Sequence, residues 1–104
     1  MDVTRKQNKS GLSLRISGEA TIYEAANLHA QLLNDNAGFN KTVQLNLEQV
    51  SELDTAGVQL LLMLQREISQ LGGTLKLQAS NEYVDQVLNV FHLPPPFQRQ
   101  ENAS

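Results

Sequence analysis

The chain has no cysteine and no tryptophan. Without thiols there are no disulfides, no thiolate nucleophile and no zinc–thiolate site. Aromatic residues make up only 5% of the sequence, so the core must be aliphatic. The three prolines fall together at Pro94–Pro96, leaving everything before them free of proline breaks. Basic residues are few, with eight Lys and Arg against eleven Asp and Glu for a net charge of -3. They are scattered and form no stripe, which argues against nucleic acid as a partner. No apolar run approaches the ~20 residues needed to cross a bilayer. The first ten residues, M-D-V-T-R-K-Q-N-K-S, lack the apolar centre of a signal peptide. A cytoplasmic chain without direct membrane insertion is the expectation.

Catalytic chemistry is equally sparse. The chain contains no G-x-x-x-x-G-K-[ST] phosphate loop and no G-x-G-x-x-G turn. His29 and His92 stand alone, without ligand or triad spacing, and read as surface or packing histidines. The acids are dispersed, with no obvious acid–base pair. These patterns predict a protein that is not an enzyme and binds no cofactor and no metal.

What is present is a regular alternation of strands and helices. The 104 residues fit one domain, expected over 1–97, with a polar tail over 98–104. L-S-L-R-I-S (12–17), V-Q-L-N-L-E (43–48) and T-L-K-L-Q-A (74–79) alternate apolar and polar, as half-buried strands do. A weak further strand lies within 2–7, and Gly18 is expected to end the first clear one. Thr21 with Glu24 forms a capping-box pattern that predicts a helix from there to about Leu33. A loop follows over 34–41. A long helix after the second strand should run to about Leu71 and stop at Gly72-Gly73. Ser80 or Asn81 can cap a last helix, and Pro94–Pro96 end regular structure.

A β-α-β-α-β-α order implies an α/β fold with a small, mostly parallel or mixed sheet. Strands covered on both faces read as continuous apolar runs. These alternate, so the helices are expected on one face.

The junction S-E-L-D-T-A-G-V-Q-L-L-L (51–62) concentrates the remaining signal. Asp54 and Thr55 are good helix N-caps, a role that contributes ~1 kcal/mol. Thr55 is also a candidate phosphorylation site. Phosphate adds about -1.5 to -2 charges at the end of a helix whose amides and dipole favour anions. Its neighbour Asp54 would repel it, so binding would change while the fold survived. Both readings stand on the residues alone.

Residues ~100° apart around the helix place Leu60, Leu61, Leu64, Ile68 and Leu71 in one core stripe. Thr55, Val58, Leu62 and Arg66 fall on another side. That strip is either an exposed partner surface or the flank on which Val58 and Leu62 pack beneath a neighbouring helix.

The combination resembles the STAS domain, the family of anti-sigma-factor antagonists and related bacterial regulators. The likeness rests on S-G-E-A after the first strand, V-Q-L-N-L-E-Q-V, L-D-T-A-G-V-Q-L-L and G-G-T-L-K-L, from about Leu12 to Leu93. It implies a sheet with helices on one side and a non-enzymatic signal-transduction module acting by protein–protein interaction. In switching members the Ser or Thr after the motif Asp is phosphorylated by a serine kinase. The unphosphorylated form binds that kinase or anti-sigma factor, and a phosphatase resets the switch. By position the phosphorylated residue here is Thr55, with Asp54, Ala56, Gly57, Val58, Leu62 and Arg66 as its partner-binding surroundings.

Thr replaces the commoner Ser, and the chain lacks the last strand and helix of longer members. Its ending, F-H-L-P-P-P-F, looks like that of compact stand-alone STAS proteins. Some of these are accessory subunits binding the ATPase of lipid-transport ABC systems, which is the alternative partner.

Overall fold

The computed structural model describes residues 2–9, 11–33 and 37–91. His92, the Pro94–Pro96 run, the tail 98–104 and part of the expected loop at 34–36 lie outside the described residues.

Strands β1 (Asp2–Asn8), β2 (Gly11–Ala20), β3 (Thr42–Leu53) and β4 (Thr74–Ala79) form one sheet in the order β1-β2-β3-β4. Helices α1 (Ala25–Leu33), α2 (Thr55–Gln70) and α3 (Glu82–Val90) follow β2, β3 and β4. β1 pairs antiparallel with β2, while the β2–β3 and β3–β4 pairs are parallel. The weak N-terminal alternation is therefore a full edge strand, closed onto β2 by a turn in which the Asn8 side chain accepts from the Gly11 amide at 2.9 Å. Arg5 of β1 reaches across the sheet edge, donating to the Gln31 carbonyl of α1 at 2.7 Å and lying 5.7 Å from the centroid of the Phe39 ring.

Alternation fixes which face is covered. Leu12 stands beside Val43, Leu14 beside Leu45 and Val43 beside Leu75, and these residues are buried, as are Ile16 and Leu47. On the opposite face Arg15, Gln44, Glu48, Lys76 and Gln78 are exposed. The helices pack on the apolar face, where Val58, Leu60, Leu61, Leu64 and Ile68 of α2 and Val84 and Leu88 of α3 complete one hydrophobic cluster. Each fully buried aliphatic side chain contributes roughly 1.5–3 kcal/mol.

Three local expectations are corrected. Gly18 does not end β2. The strand continues to Ala20 because two register shifts against β3, between Arg15 and Ser17 and between Gly18 and Glu19, absorb the irregularity as bulges. Gly18 itself has φ +92°.

The capping box at Thr21–Glu24 does not form. The Glu24 amide donates to the Thr21 carbonyl at 2.9 Å, making a turn, and α1 begins only at Ala25. The Thr21 hydroxyl is buried and finds no hydrogen-bond partner among the described residues.

Leu71 leaves the core stripe. It is the C-cap of α2 and 39% exposed, because the helix ends there in a Schellman turn. The Gly73 amide bonds the Ile68 carbonyl at 2.8 Å and the Gly72 amide bonds the Ser69 carbonyl at 3.1 Å. Gly72 supplies the left-handed residue at φ +88° that this turn requires.

Candidate functional site

The C-terminal ends of β2 and β3 meet the start of α2, and the bulged extension of β2 makes the junction. Ala20 lies beside Leu53 in the register, and the Asp54 amide donates to the Ala20 carbonyl at 3.3 Å. Asp54 is the N-cap of α2 in extended backbone conformation. Its Oδ1 accepts from the Gly57 amide at 3.1 Å and its Oδ2 from the Ile22 amide at 2.9 Å. One carboxylate thus caps the helix and ties the turn after β2 to it.

These bonds favour the charged form. The Ile22 amide is the main reason the Asp54 carboxyl lies below the usual carboxylate range; burial opposes it, and the amides of Gly57, Ala56 and Asp54 itself add smaller lowering effects.

Gly57 is where α2 touches β2. A Cβ there would lie 2.0 Å from the Ala20 carbonyl oxygen and 2.8 Å from Leu53 Cδ1. The helix start reaches its place only because this residue has no side chain.

Thr55, the first residue of α2, is exposed. Beside it, the turn held by Asp54 presents Ile22 at 67% exposure and Tyr23 at 90%. A groove of about 410 Å³ runs between the helices, lined by Ala25, Ala26 and His29 of α1 and by Ala56, Gln59 and Met63 of α2. A hydroxyl, two projecting apolar side chains and a shallow apolar groove are therefore contiguous.

The residues expected at the site separate into two groups. Asp54, Thr55 and Ala56 lie at the helix start and Arg66 is exposed farther along α2. Gly57 is buried and acts through backbone approach.

Val58 is a correction. It is 2% exposed and belongs to the hydrophobic cluster, so the continuous exposed strip from Thr55 to Arg66 does not exist. The covered arc of α2 is wider than the stripe of leucines suggests, and Leu62, half-buried against the cluster, marks its edge. The exposed face of α2 instead carries Thr55, Gln59 and Arg66.

Sequence reasoning missed Ile22 and Tyr23. Two consecutive apolar residues at a helix start ordinarily read as the beginning of a core stripe, and nothing local shows that both project outward.

Among the described residues no group of three or more His, Asp or Glu has the geometry to hold a metal ion. No described helix is long and apolar enough to cross a membrane.

The family model described as "Mlab, STAS domain" matches residues 3–94. The chain belongs to the STAS domain family. Its fold is shared with a Thermotoga maritima protein assigned as an anti-sigma factor antagonist, at 25% identity and a TM-score of 0.75, covering 86% of this chain and 78% of that one. The anti-sigma factor antagonist SpoIIAA in its unphosphorylated form aligns at 20% identity and a TM-score of 0.70, covering 97% and 89%. The Bacillus cell fate determinant SpoIIAA in its phosphorylated form aligns at 19% and 0.68, covering 97% and 92%. No curated protein matches the chain. The STAS fold described here agrees with the expected architecture: a mixed, mostly parallel four-stranded sheet and three helices.

Proposed function

We propose that this STAS domain is a non-enzymatic binding module whose partner surface is the start of α2 with the adjoining turn, and that phosphorylation of Thr55 switches the partner it holds. The observation that carries the reading is the exposed Thr55 hydroxyl beside Ile22 and Tyr23, all fixed to one frame by the Asp54 carboxylate. SpoIIAA, which shares the fold, has been solved both with and without phosphate. The partners of this reading are a serine/threonine kinase-type anti-sigma factor or related signalling kinase, and a phosphatase that resets Thr55.

Magnitudes support a switch that spares the fold. A phosphate about 5 Å from the Asp54 carboxylate near the water limit costs roughly 1–2 kcal/mol, against a domain stability of roughly 5–15 kcal/mol. The same charge placed against apolar side chains in an interface would be desolvated at a cost several times larger. Binding is lost long before folding is.

A second reading has its own support. Asp54 already draws on the amides of Gly57 and Ala56, which would otherwise receive a phosphate. A Thr55 that acts by direct contact, as in constitutive docking on the ATPase of a lipid-transport ABC system, fits that arrangement.

Paired pull-downs from the source organism's lysate with wild type and Thr55→Glu distinguish the two. Partner switching expects a kinase-like regulator held by wild type and lost by Thr55→Glu at unchanged Tm. A transporter ATPase in the eluate moves the protein to the second reading. Equal capture by both baits reduces Thr55 to a helix-start residue.

The surface itself is tested by Tyr23→Ser. At 90% exposure the substitution should alter folding stability by no more than about 0.5 kcal/mol. Affinity for the captured partner should fall by roughly tenfold or more, as for an aromatic anchor. Titration calorimetry with the purified partner measures it, and an affinity within twofold of wild type removes Tyr23 from the interface.

A further inference from the structure

β3 is longer than its neighbour on one side. The β3–β4 register ends at Asn46 opposite Ala79, so among the described residues no strand flanks the last residues of β3 on that edge. Two side chains from the start of α3 take the place of the missing strand. Asn81 Nδ2 donates to the carbonyls of Glu48 at 3.0 Å and Val50 at 2.9 Å, while its Oδ1 caps α3 by accepting from the Val84 amide at 2.8 Å. The Tyr83 hydroxyl accepts from the Leu53 amide at 3.0 Å and donates to the Leu53 carbonyl at 3.3 Å. One hydroxyl thus satisfies both backbone groups of the residue that immediately precedes Asp54.

Leu53 is also the floor of the site. Its side chain is buried, and its Cδ1 lies where a Cβ on Gly57 would meet it. A displacement of Leu53 therefore reaches the site twice, through the chain into Asp54 and through packing into Gly57. Asp54 in turn sets Ile22 through the bond to its amide.

We propose that Tyr83 is a positioning residue for the Asp54–Thr55 site: its hydroxyl clamps Leu53 and thereby holds the Asp54 carboxylate on the amides of Ile22 and Gly57. Side chain to backbone bonds suit such a role. They break without unzipping a ladder, whereas a paired β4 strand would open only as a cooperative unit. The consequence for partner binding rests on the function proposed above; the coupling itself does not.

The test is an NMR comparison of the intact chain as wild type, Tyr83→Phe and Val87→Ala. Tyr83→Phe deletes one oxygen from a partly exposed ring, and the domain should fold. Val87, half-buried on the same helix, reports general loosening of α3. In Tyr83→Phe the Asp54 carboxyl should titrate closer to the ordinary carboxylate range, and exchange of the Ile22 and Gly57 amides should quicken by about tenfold. In Val87→Ala both should match wild type once corrected for any global change in stability, which the β1–β2 amides report.

An Asp54 titration in Tyr83→Phe identical to wild type, or one displaced equally in both variants, overturns the proposal. No partner enters the experiment. Failure of the Thr55→Glu pull-down would therefore refute the proposed function while leaving this result standing, and the reverse holds equally.

Discussion

Gly57→Ala is expected to lower Tm by about 10 °C or more, although helix propensity alone predicts the opposite sign. Alanine is favoured over glycine in a helix by about 1 kcal/mol. Against that gain stands a methyl group 2.0 Å from the Ala20 carbonyl oxygen, with Leu53 Cδ1 at 2.8 Å behind it. The nearest obstacle is backbone, so it cannot swing aside as a flexible side chain would. Either α2 moves out or the end of β2 moves away, and the second choice stretches the bond from the Asp54 amide to that same carbonyl.

Overpacking of this kind costs roughly 1–3 kcal/mol and occasionally more. A rigid backbone obstacle belongs at the upper end, so after the gain in helix propensity the net loss should be about 2 kcal/mol. For a domain of this size each kcal/mol corresponds to roughly 4–8 °C in Tm. Thermal denaturation followed by circular dichroism measures it. A variant as stable as wild type would mean that α2 is free to lift from β2, and the fixed site geometry would be wrong.

Asp54→Ala should cost about 2 kcal/mol at neutral pH and show a characteristic pH dependence. Removing an N-cap side chain costs roughly 0.5–2 kcal/mol. This carboxylate also serves the Ile22 amide, but that bond is exposed and water recovers part of it. The folded-state pKa lies below the unfolded value of about 3.9. The contribution is therefore fully present above the unfolded pKa and lost as pH falls through the folded one.

Urea denaturation of wild type and Asp54→Ala should accordingly give a constant difference from about pH 5 to pH 8, narrowing below about pH 4. Asp54→Asn keeps an acceptor for the cap but no charge. It should lose less than the alanine variant at neutral pH, and that loss should shrink below about pH 4 as the wild-type carboxylate is protonated. A difference between wild type and Asp54→Ala that stays constant down to pH 2 would show that the charge contributes nothing.

The two variants probe different halves of one junction. Gly57 lets α2 approach β2, and Asp54 locks the turn bearing Ile22 and Tyr23 to the helix that presents Thr55. If the site binds partners through a fixed arrangement, Asp54→Asn should weaken capture more than its effect on stability accounts for.

Much of this junction was legible beforehand. The Asp-Thr-Ala-Gly sequence carries the chemistry of a helix start, and Asp54 caps α2 through the bond to the third amide, as such residues do. Gly72 was legible as a stop for the same local reason. Tyr83 was not. It sits in the first turn of α3 like any surface aromatic, and its role arises only because β3 outruns β4. Val58 was misplaced because a helical wheel gives angles, whereas the width of the covered arc depends on what packs against the helix.

The sequence by itself determined the elements that depend on near neighbours: three alternating strands, the cap and stop of α2, the cap of α3, and a sheet covered on one face. These follow from local backbone preferences and from the period-2 and period-3.6 placement of aliphatic side chains. Only the tertiary structure decided how β2 passes Gly18, which face Ile22 and Tyr23 take, how closely α2 meets Ala20, and that Tyr83 stands in for a strand. Each of these is a meeting between residues some 30 positions or more apart, as Ile22 with Asp54 and Leu53 with Tyr83. Such pairings are set by register and packing of the whole sheet, and no local window of the chain contains them.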